Sequence, residues 1–445
     1  MSSAWQVLCK YFTYPLWDLW DGTGRLRELR SLRRSQYWRP EELAKLQLER
    51  LRFITKYAYE HCRFYRQYWK GLPRIECLED IRQLPVVTKA QVSSEVEGLI
   101  SSEFAKEDLI GAKTGGSTGV ALRVYFDERC QKARNAAAMR TDGWAGWKPG
   151  STIAGLWGTP PVPRTLKEKI RNTFHDRLMF LDTMRLDEES MAAFARWMRE
   201  RKPEMLFGHA HSLFIFAEFL RDRDIRVPPV DGIISTSMML LENERKVIES
   251  VFGAPVTNRY GCEEVGLIAS ECEIHQGLHL NAEHVLVEFI REDGAPAAPG
   301  EEGSIVLTDF MNRGMPLIRY AVGDMGVPSD RKCECGRGLP LMERLTGRTA
   351  DSLKRRDGSR VAGISLVEKT LTAFPGIGQL QIIQEGLEEF VLNLVPAAEY
   401  SDEVERELVA VFQKEFGDDV IVRVNRVSRL EQERNSKYRF SICRV

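Results

Sequence analysis

Thr114-Gly115-Gly116-Ser117-Thr118-Gly119 places three glycines and three hydroxyl side chains in six consecutive positions. Such a loop offers unobstructed backbone N–H groups and hydroxyl donors to an anion, a phosphate above all. It is not the Gly-x4-Gly-Lys-Ser/Thr loop, because Val120 and Ala121 follow Gly119 where a lysine would stand. Nor does its glycine spacing match the dinucleotide fingerprint. By itself a run of this kind is as often an ordinary loop, so its meaning depends on the remainder of the chain.

Four later stretches supply that meaning. Asn258-Arg259-Tyr260-Gly261-Cys262-Glu263-Glu264 puts two adjacent carboxylates after a Tyr-Gly turn, a pattern suited to Mg²⁺ that also binds phosphate oxygens. Leu317-Ile318-Arg319-Tyr320-Ala321-Val322-Gly323-Asp324 is an apolar run ending in an acid able to accept ribose hydroxyls. Leu345-Thr346-Gly347-Arg348-Thr349-Ala350-Asp351 precedes the polar run Lys354-Arg355-Arg356-Asp357-Gly358-Ser359. Last comes Arg434-Asn435-Ser436-Lys437-Tyr438-Arg439. Singly, each has a bland reading: a solvated acidic turn, a core strand, a surface lysine.

In this order they resemble the adenylate-forming superfamily of acyl-CoA synthetases and ligases, nearest its phenylacetate–CoA ligase and capsular polysaccharide biosynthesis branch. By the resemblance, Thr114, Gly115, Gly116, Ser117, Thr118 and Gly119 grip the phosphates of ATP. Tyr260, Gly261 and Glu264 match the adenine and Mg²⁺ motif, Asp324 and Arg348 the ribose contacts, Asp351 the hinge, and Lys437 the lysine that drives adenylation. Phe64-Tyr65-Arg66, Leu84-Pro85-Val86-Val87-Thr88-Lys89 and Gly155-Leu156-Trp157-Gly158 fit the same branch. The implied activity is ATP-dependent activation of a carboxylic acid to an acyl-adenylate, followed by transfer to CoA. An amine or hydroxyl acceptor is the alternative, and a non-catalytic nucleotide-binding protein the second. The implied fold is α/β, with a large N-terminal ATP- and acyl-binding domain over 1–347 and a small mobile α+β domain over 348–445. Two positions depart from the family pattern. Met239 replaces an expected acid in Ser235-Thr236-Ser237-Met238-Met239-Leu240, and Glu263 stands where Ser or Thr is usual; both bear on adenine seating and acyl-pocket shape.

Periodicity supports that architecture independently. Apolar residues recur at helical spacing over 40–69, and Thr88 with Gln91 reads as a capping box. Beyond residue 104, β-rich runs at 151–157, 230–235, 285–290 and 304–308 alternate with helical stretches such as 191–201 and 212–223, the signature of covered sheets. The tail reads strand 378–384, strand 389–395, helix 402–416, strand 419–427, a self-contained α+β unit.

The 445 residues predict two to four domains. With 63 cationic and 64 anionic side chains the net charge is −1, which argues against a nucleic-acid binder. No apolar run approaches a membrane span, the first residues do not read as a secretory leader, and nine cysteines without one read as reduced thiols, so a cytoplasmic enzyme is expected. A homodimer is compatible with all of this. Cys333-Glu334-Cys335, with Cys272 followed by His275 and His279, offers soft ligands for a tetrahedral Zn²⁺, although spacing alone favours unliganded thiols. The branch resembled has members with a zinc loop containing Gly-Leu-His. That phrase recurs as Gly277-Leu278-His279, which implies a structural site of Cys272, His279, Cys333 and Cys335. Cys262 is not expected to be a ligand, and His209 and His211 are given no catalytic role. In residues 1–40, part of a helical aromatic and basic arm over 1–70, Trp5, Tyr11, Tyr14, Trp17, Trp20 and Trp38 lie among five arginines. The favoured expectation is that these aromatics pack on the body while the arginines stay solvated; the alternative is peripheral membrane contact.

Overall fold

The computed structural model describes residues 4–20, 22, 24–113, 122–158, 165–348, 351–432 and 438–445. Its strands in chain order are β1 (Ile110–Lys113), β2 (Arg123–Phe126), β3 (Ile153–Trp157), β4 (Leu178–Asp182), β5 (Met205–His209), β6 (Gly232–Thr236), β7 (Val256–Cys262), β8 (Gly266–Glu271), β9 (Leu278–Leu280), β10 (Val285–Ile290), β11 (Gly303–Asp309), β12 (Tyr320–Ser329), β13 (Leu341–Arg348), β14 (Ser352–Lys354), β15 (Arg360–Ala362), β16 (Ile377–Gly386), β17 (Glu389–Pro396), β18 (Ile421–Arg426) and β19 (Ser441–Cys443).

Among the described residues the dominant feature is one eleven-stranded sheet, ordered β10-β11-β12-β13-β9-β8-β7-β6-β5-β3-β4. The end running from β7 to β4 is parallel. Its connections carry helices, including Glu188–Arg201, Ala210–Asp222 and Glu242–Phe252. Strand β6 is buried at every position, as expected of a parallel strand covered on both faces. From β7 onward every pairing is antiparallel. Chain order along the parallel end reverses direction between β3 and β5, the kind of switch point where α/β sheets open a crevice at the carboxyl ends of their strands.

A second sheet, β18-β17-β16-β19, follows the hairpin β14–β15. Helix Asp402–Phe416 crosses it, capped by Ser401, whose Oγ accepts from the Val404 N–H at 3.4 Å, with Asp402, Glu403 and Glu405 in the first turn. Leu408, Phe412 and Phe416, at helical spacing, join a core with Leu380, Leu392 and Leu394. That core reaches across to Leu241, with Met238 and Met239 packed against it, so the departing Met239 faces the small unit.

The single helix expected over 40–69 is two, Pro40–His61 and Arg63–Tyr68. Cys62 breaks it at φ −112° and ψ 120°, and the turn aims Tyr65 into the core. There the Tyr65 hydroxyl donates to the Pro316 carbonyl and accepts the Ile318 N–H, both at 3.0 Å, a gain that periodicity does not register. Thr88 caps as expected, exchanging bonds with Gln91. The arm is divided: Tyr14 and Trp17 are buried, whereas Tyr11, Trp20 and Trp38 are exposed. Arg25 departs from the expected solvated arginines, buried beside Asp18 at 3.7 Å and the His175 ring at 2.9 Å.

Candidate active site and metal centre

Strand β7 ends in Tyr260-Gly261-Cys262 and turns through Glu263 and Glu264 into β8. Gly261 is required by close approach: a Cβ there would lie 2.7 Å from the Gly266 carbonyl oxygen. The Tyr260 hydroxyl donates to Asp324 Oδ2 on β12 at 2.8 Å. Reciprocally, the Tyr320 hydroxyl on β12 donates to Glu264 Oε1 at 3.0 Å. Strands β7 and β12 are four places apart in the sheet order, so this pair of bonds ties the parallel end to the antiparallel end. Burial, with Asp324 beside it, holds the Tyr260 phenol well above its ordinary pKa. Burial and Glu264 do the same for Tyr320. Both phenols therefore remain donors throughout the physiological range.

Asp324 is the register partner of Arg348 at the end of β13, and the Arg348 Nε lies 3.5 Å from Asp324 Oδ1. Gly347 before it sits at φ +115°, where an L side chain is strained. Behind Glu264, Arg134 donates to the Glu263 carbonyl at 3.2 Å and the Glu264 carbonyl at 2.5 Å. The same guanidinium lies over the Phe126 ring at 3.7 Å and 3.8 Å from Asp309. Phe126 ends the hairpin β1–β2, opposite Ile110, and the pair next to the connecting loop is Lys113 with Arg123. Thr114 to Gly119 connect those strands and lie outside the described residues. Arg134 thus links the hairpin bearing that loop to the turn bearing Glu264. Neither Arg134 nor Tyr320 is marked as a site residue by the sequence; helical position on Glu128–Trp144 carries no sign of the Arg134 contact.

Lys437 also lies outside the described residues, but its flanks are described. On one side Gln432 donates to the Thr183 carbonyl just after β4, at 3.2 Å. On the other, the Tyr438 and Phe440 rings meet His211 edge-on at 4.3 and 5.0 Å. His211, at the start of the helix after β5, bonds Glu244 at 2.5 Å and is fully buried. Asp351 accepts from Arg439, and its carbonyl accepts the Ser441 hydroxyl at 2.6 Å. The expected hinge residue is therefore tied to the segment just after Lys437. At the crevice, Trp157 at the end of β3 packs on His209 at the end of β5, ring centres 4.2 Å apart.

Cys272, His279, Cys333 and Cys335 converge, with all four ligand atoms within 4.8 Å of one another. Cys272 Sγ is 3.6 Å from Cys333 Sγ, and Cys335 Sγ is 3.3 Å from His279 Nε2. His279 directs Nδ1 at the Leu339 carbonyl at 3.3 Å, which leaves Nε2 facing the thiols. Burial lowers His279 to about 4, keeping the imidazole in its ligating form. Burial acts to raise the Cys335 thiol, yet the Arg337 backbone N–H and guanidinium hold it below the ordinary value. His275 is instead turned to Glu271 at 3.2 Å, and Cys262 lies with Glu264 rather than in this cluster. The donor set fits Zn²⁺ of the Cys₃His type, with all four positions filled by protein.

Residues 353–444 match the CapK C-terminal domain family. Protein CapK of Staphylococcus aureus is 22% identical over 420 residues, 91% of this chain and 90% of that one. The phenylacetate-coenzyme A ligase of Thermus thermophilus is 26% identical over 424 residues, 88% of each. The chain is thus similar over about nine-tenths of its length to CapK and to a phenylacetate–CoA ligase. Among solved structures, 2-hydroxyisobutyryl-CoA ligase in its postadenylation state, with 2-HIB-AMP, shares the fold at a TM-score of 0.74, with 19% identity and 92% of this chain covering 91% of that one. The same ligase in the thioesterification state, with 2-HIB-AMP and CoA, overlays at 0.61, again with 19% identity and 92% of each chain.

Proposed function

We propose that this chain is an adenylate-forming ligase, which activates a carboxylic acid with ATP and transfers the acyl group to CoA. In the first step a substrate carboxylate oxygen attacks the α-phosphorus, the bond to the bridging oxygen breaks, and pyrophosphate leaves. In the second the thiol of CoA attacks the acyl carbon, loses its proton, and AMP departs. The observation that carries this reading is the reciprocal pairing of Tyr260 with Asp324 and Tyr320 with Glu264, with Arg348 beside Asp324. It brings a phenol, an acid beside an arginine and a buried carboxylate from distant strands into one place, which supports their assignment to nucleotide binding.

In this assignment Asp324 and Arg348 orient the ribose, and Tyr260 and Gly261 seat the adenine. Thr114, Gly115, Gly116, Ser117, Thr118 and Gly119 grip the phosphates from the β1–β2 hairpin. Glu264 would hold Mg²⁺, which when bound neutralises phosphate charge. Lys437 brings its ammonium to the developing charge at the α-phosphate, and positioned charge of this kind is ordinarily the largest catalytic contribution. Asp351 is the pivot between a domain over 1–347 and a mobile one over 348–445. The closer overlay with the postadenylation neighbour supports a pose suited to the first step. Cys272, His279, Cys333 and Cys335 would hold a structural zinc that clamps the loop before β9 to the loop before β13. The reaction is assigned to the cytoplasm, where ATP and CoA are found.

The test is ATP–pyrophosphate exchange over a panel of aliphatic and aromatic acids, followed by thioester detection with CoA. Acid-dependent exchange with thioester product is expected. Exchange whose adenylate is discharged only by amines or alcohols would move the acceptor to those classes. Absence of exchange with every acid would overturn the ligase reading.

A further inference from the structure

The helix that opens the described chain runs through Ala4–Leu8, a π turn at Cys9–Thr13, and Tyr14–Trp20. Its inner side buries Cys9, Tyr14 and Trp17 against the body. Its outer side exposes Val7, Tyr11, Phe12, Leu16, Leu19 and Trp20, the last three at 63%, 80% and 67%. A helix apolar on all sides is ordinarily buried on all sides, and this one is covered on one side only. The surface continues onto the neighbouring helix Leu166–Arg171 and the turn after it, where Leu166, Ile170 and Phe174 are also exposed. The two parts touch: the Phe174 and Trp5 ring centres are 6.3 Å apart, and the Lys167 ammonium lies over the Trp20 ring at 5.4 Å. A contiguous aromatic and aliphatic face of this extent marks an interaction site.

Its charges have one prevailing sign. Lys10, Lys167 and Lys169 are exposed within it. Of the acids nearby, Asp18 is paired with Arg25 at 3.7 Å and Asp176 with Arg171 at 2.8 Å; Glu168, which accepts the Thr165 N–H at 3.0 Å, sets one negative charge against the three lysines. The next helix, Arg25–Ser35, exposes Arg27, Arg30 and Arg34, and no carboxylate among the described residues pairs with them. A two-fold copy of this face would set its lysines against one another. A bilayer with anionic headgroups meets both demands, since aromatic and aliphatic side chains settle at the headgroup boundary while lysines and arginines face lipid phosphates. No helix among the described residues is long and apolar enough to cross a membrane, so the helix would lie in the interface plane.

We propose that this face, formed by 4–20 with 166–174, is a peripheral membrane-binding surface selective for anionic lipid. The full chain should float with vesicles of phosphatidylcholine and phosphatidylglycerol, at least about ten-fold more than with phosphatidylcholine alone, and raised salt should reduce the difference. Leu16→Glu with Leu19→Glu should cut flotation about ten-fold while leaving the melting temperature unchanged, because both side chains face solvent. Lys10→Gln with Lys167→Gln should remove most of the preference for anionic vesicles. Wild-type protein that stays with the soluble fraction would overturn the proposal, as would Leu16→Glu/Leu19→Glu protein that floats like wild type. A dimer in light scattering that Leu16→Glu/Leu19→Glu dissociates, with no vesicle binding, would assign the face to a second copy and overturn it equally.

Discussion

Two tyrosines hold the carboxylates of the candidate site. Tyr260 and Tyr320 each donate a hydroxyl to an acid carried by the other's segment. Tyr260→Phe removes one donor and leaves Asp324 short of a partner, a loss of about 1–3 kcal/mol. The expected outcome is a KM for ATP raised about ten-fold with the fold retained, measured by pyrophosphate exchange and thermal melting; an unchanged KM would detach Tyr260 from nucleotide binding. Lys437→Ala removes the charge assigned to the first step, worth about 3–4 kcal/mol, or roughly a hundred- to thousand-fold in exchange rate. Transfer from a supplied acyl-adenylate to CoA should persist in that variant. Normal exchange would remove Lys437 from the mechanism.

At the scale of elements, the loop before β9, through Cys272, and the loop before β13, through Cys333 and Cys335, meet at His279 on β9 itself. About one zinc per chain is expected on elemental analysis of protein purified without added metal. Cys333→Ser should lose the metal and lower the melting temperature, whereas His275→Ala, whose ring faces Glu271, should keep it. Metal-free protein with wild-type melting would refute the site. The pivot is a second element-scale test. Pro at 351 fixes φ near −65° and removes a donor, so Asp351→Pro should form adenylate, trapped with hydroxylamine, yet make thioester at least about ten-fold more slowly. Asp351→Ala, which deletes only the ion pair with Arg439, should retain both steps. Wild-type rates for Asp351→Pro in both steps would exclude rotation about this point.

Across the whole molecule, the small unit is docked by contacts on either side of 433–437: Gln432 on Thr183, and Tyr438 with Phe440 on His211. His211→Ala removes that ring and leaves buried Glu244 with the Leu241 N–H at 3.4 Å but without its imidazole partner, a loss of about 1–3 kcal/mol for a buried hydrogen bond. If the docked arrangement is the pose of the first step, as proposed, exchange should fall further than thioester formation from a supplied adenylate. Equal losses in both would make His211 a residue of stability alone.

The motifs and their order were legible in the residues because they are local: a glycine and hydroxyl loop, a Tyr-Gly turn with an acid, a polar segment before an α+β tail. Period-two and period-3.6 patterns likewise located β6, β10, β11, β16, β17 and the helix Asp402–Phe416, since burial on one face leaves its mark along the chain. Strands β12 and β13 read only as motifs, and the break at Cys62 did not read at all, because the bonds that favour it come from Pro316 and Ile318 far along the chain. The partners of Glu264 and Asp324 belong to the same class of fact. Tyr320 and Arg134 reach the site only once a sheet has brought β7, β12 and the helix Glu128–Trp144 together. The arm's composition announced an amphipathic or packed segment without deciding which. Only the tertiary structure divides it, burying Tyr14 and Trp17 while leaving Leu16, Leu19 and Trp20 to solvent, because burial depends on what lies opposite a side chain and not on the side chain itself.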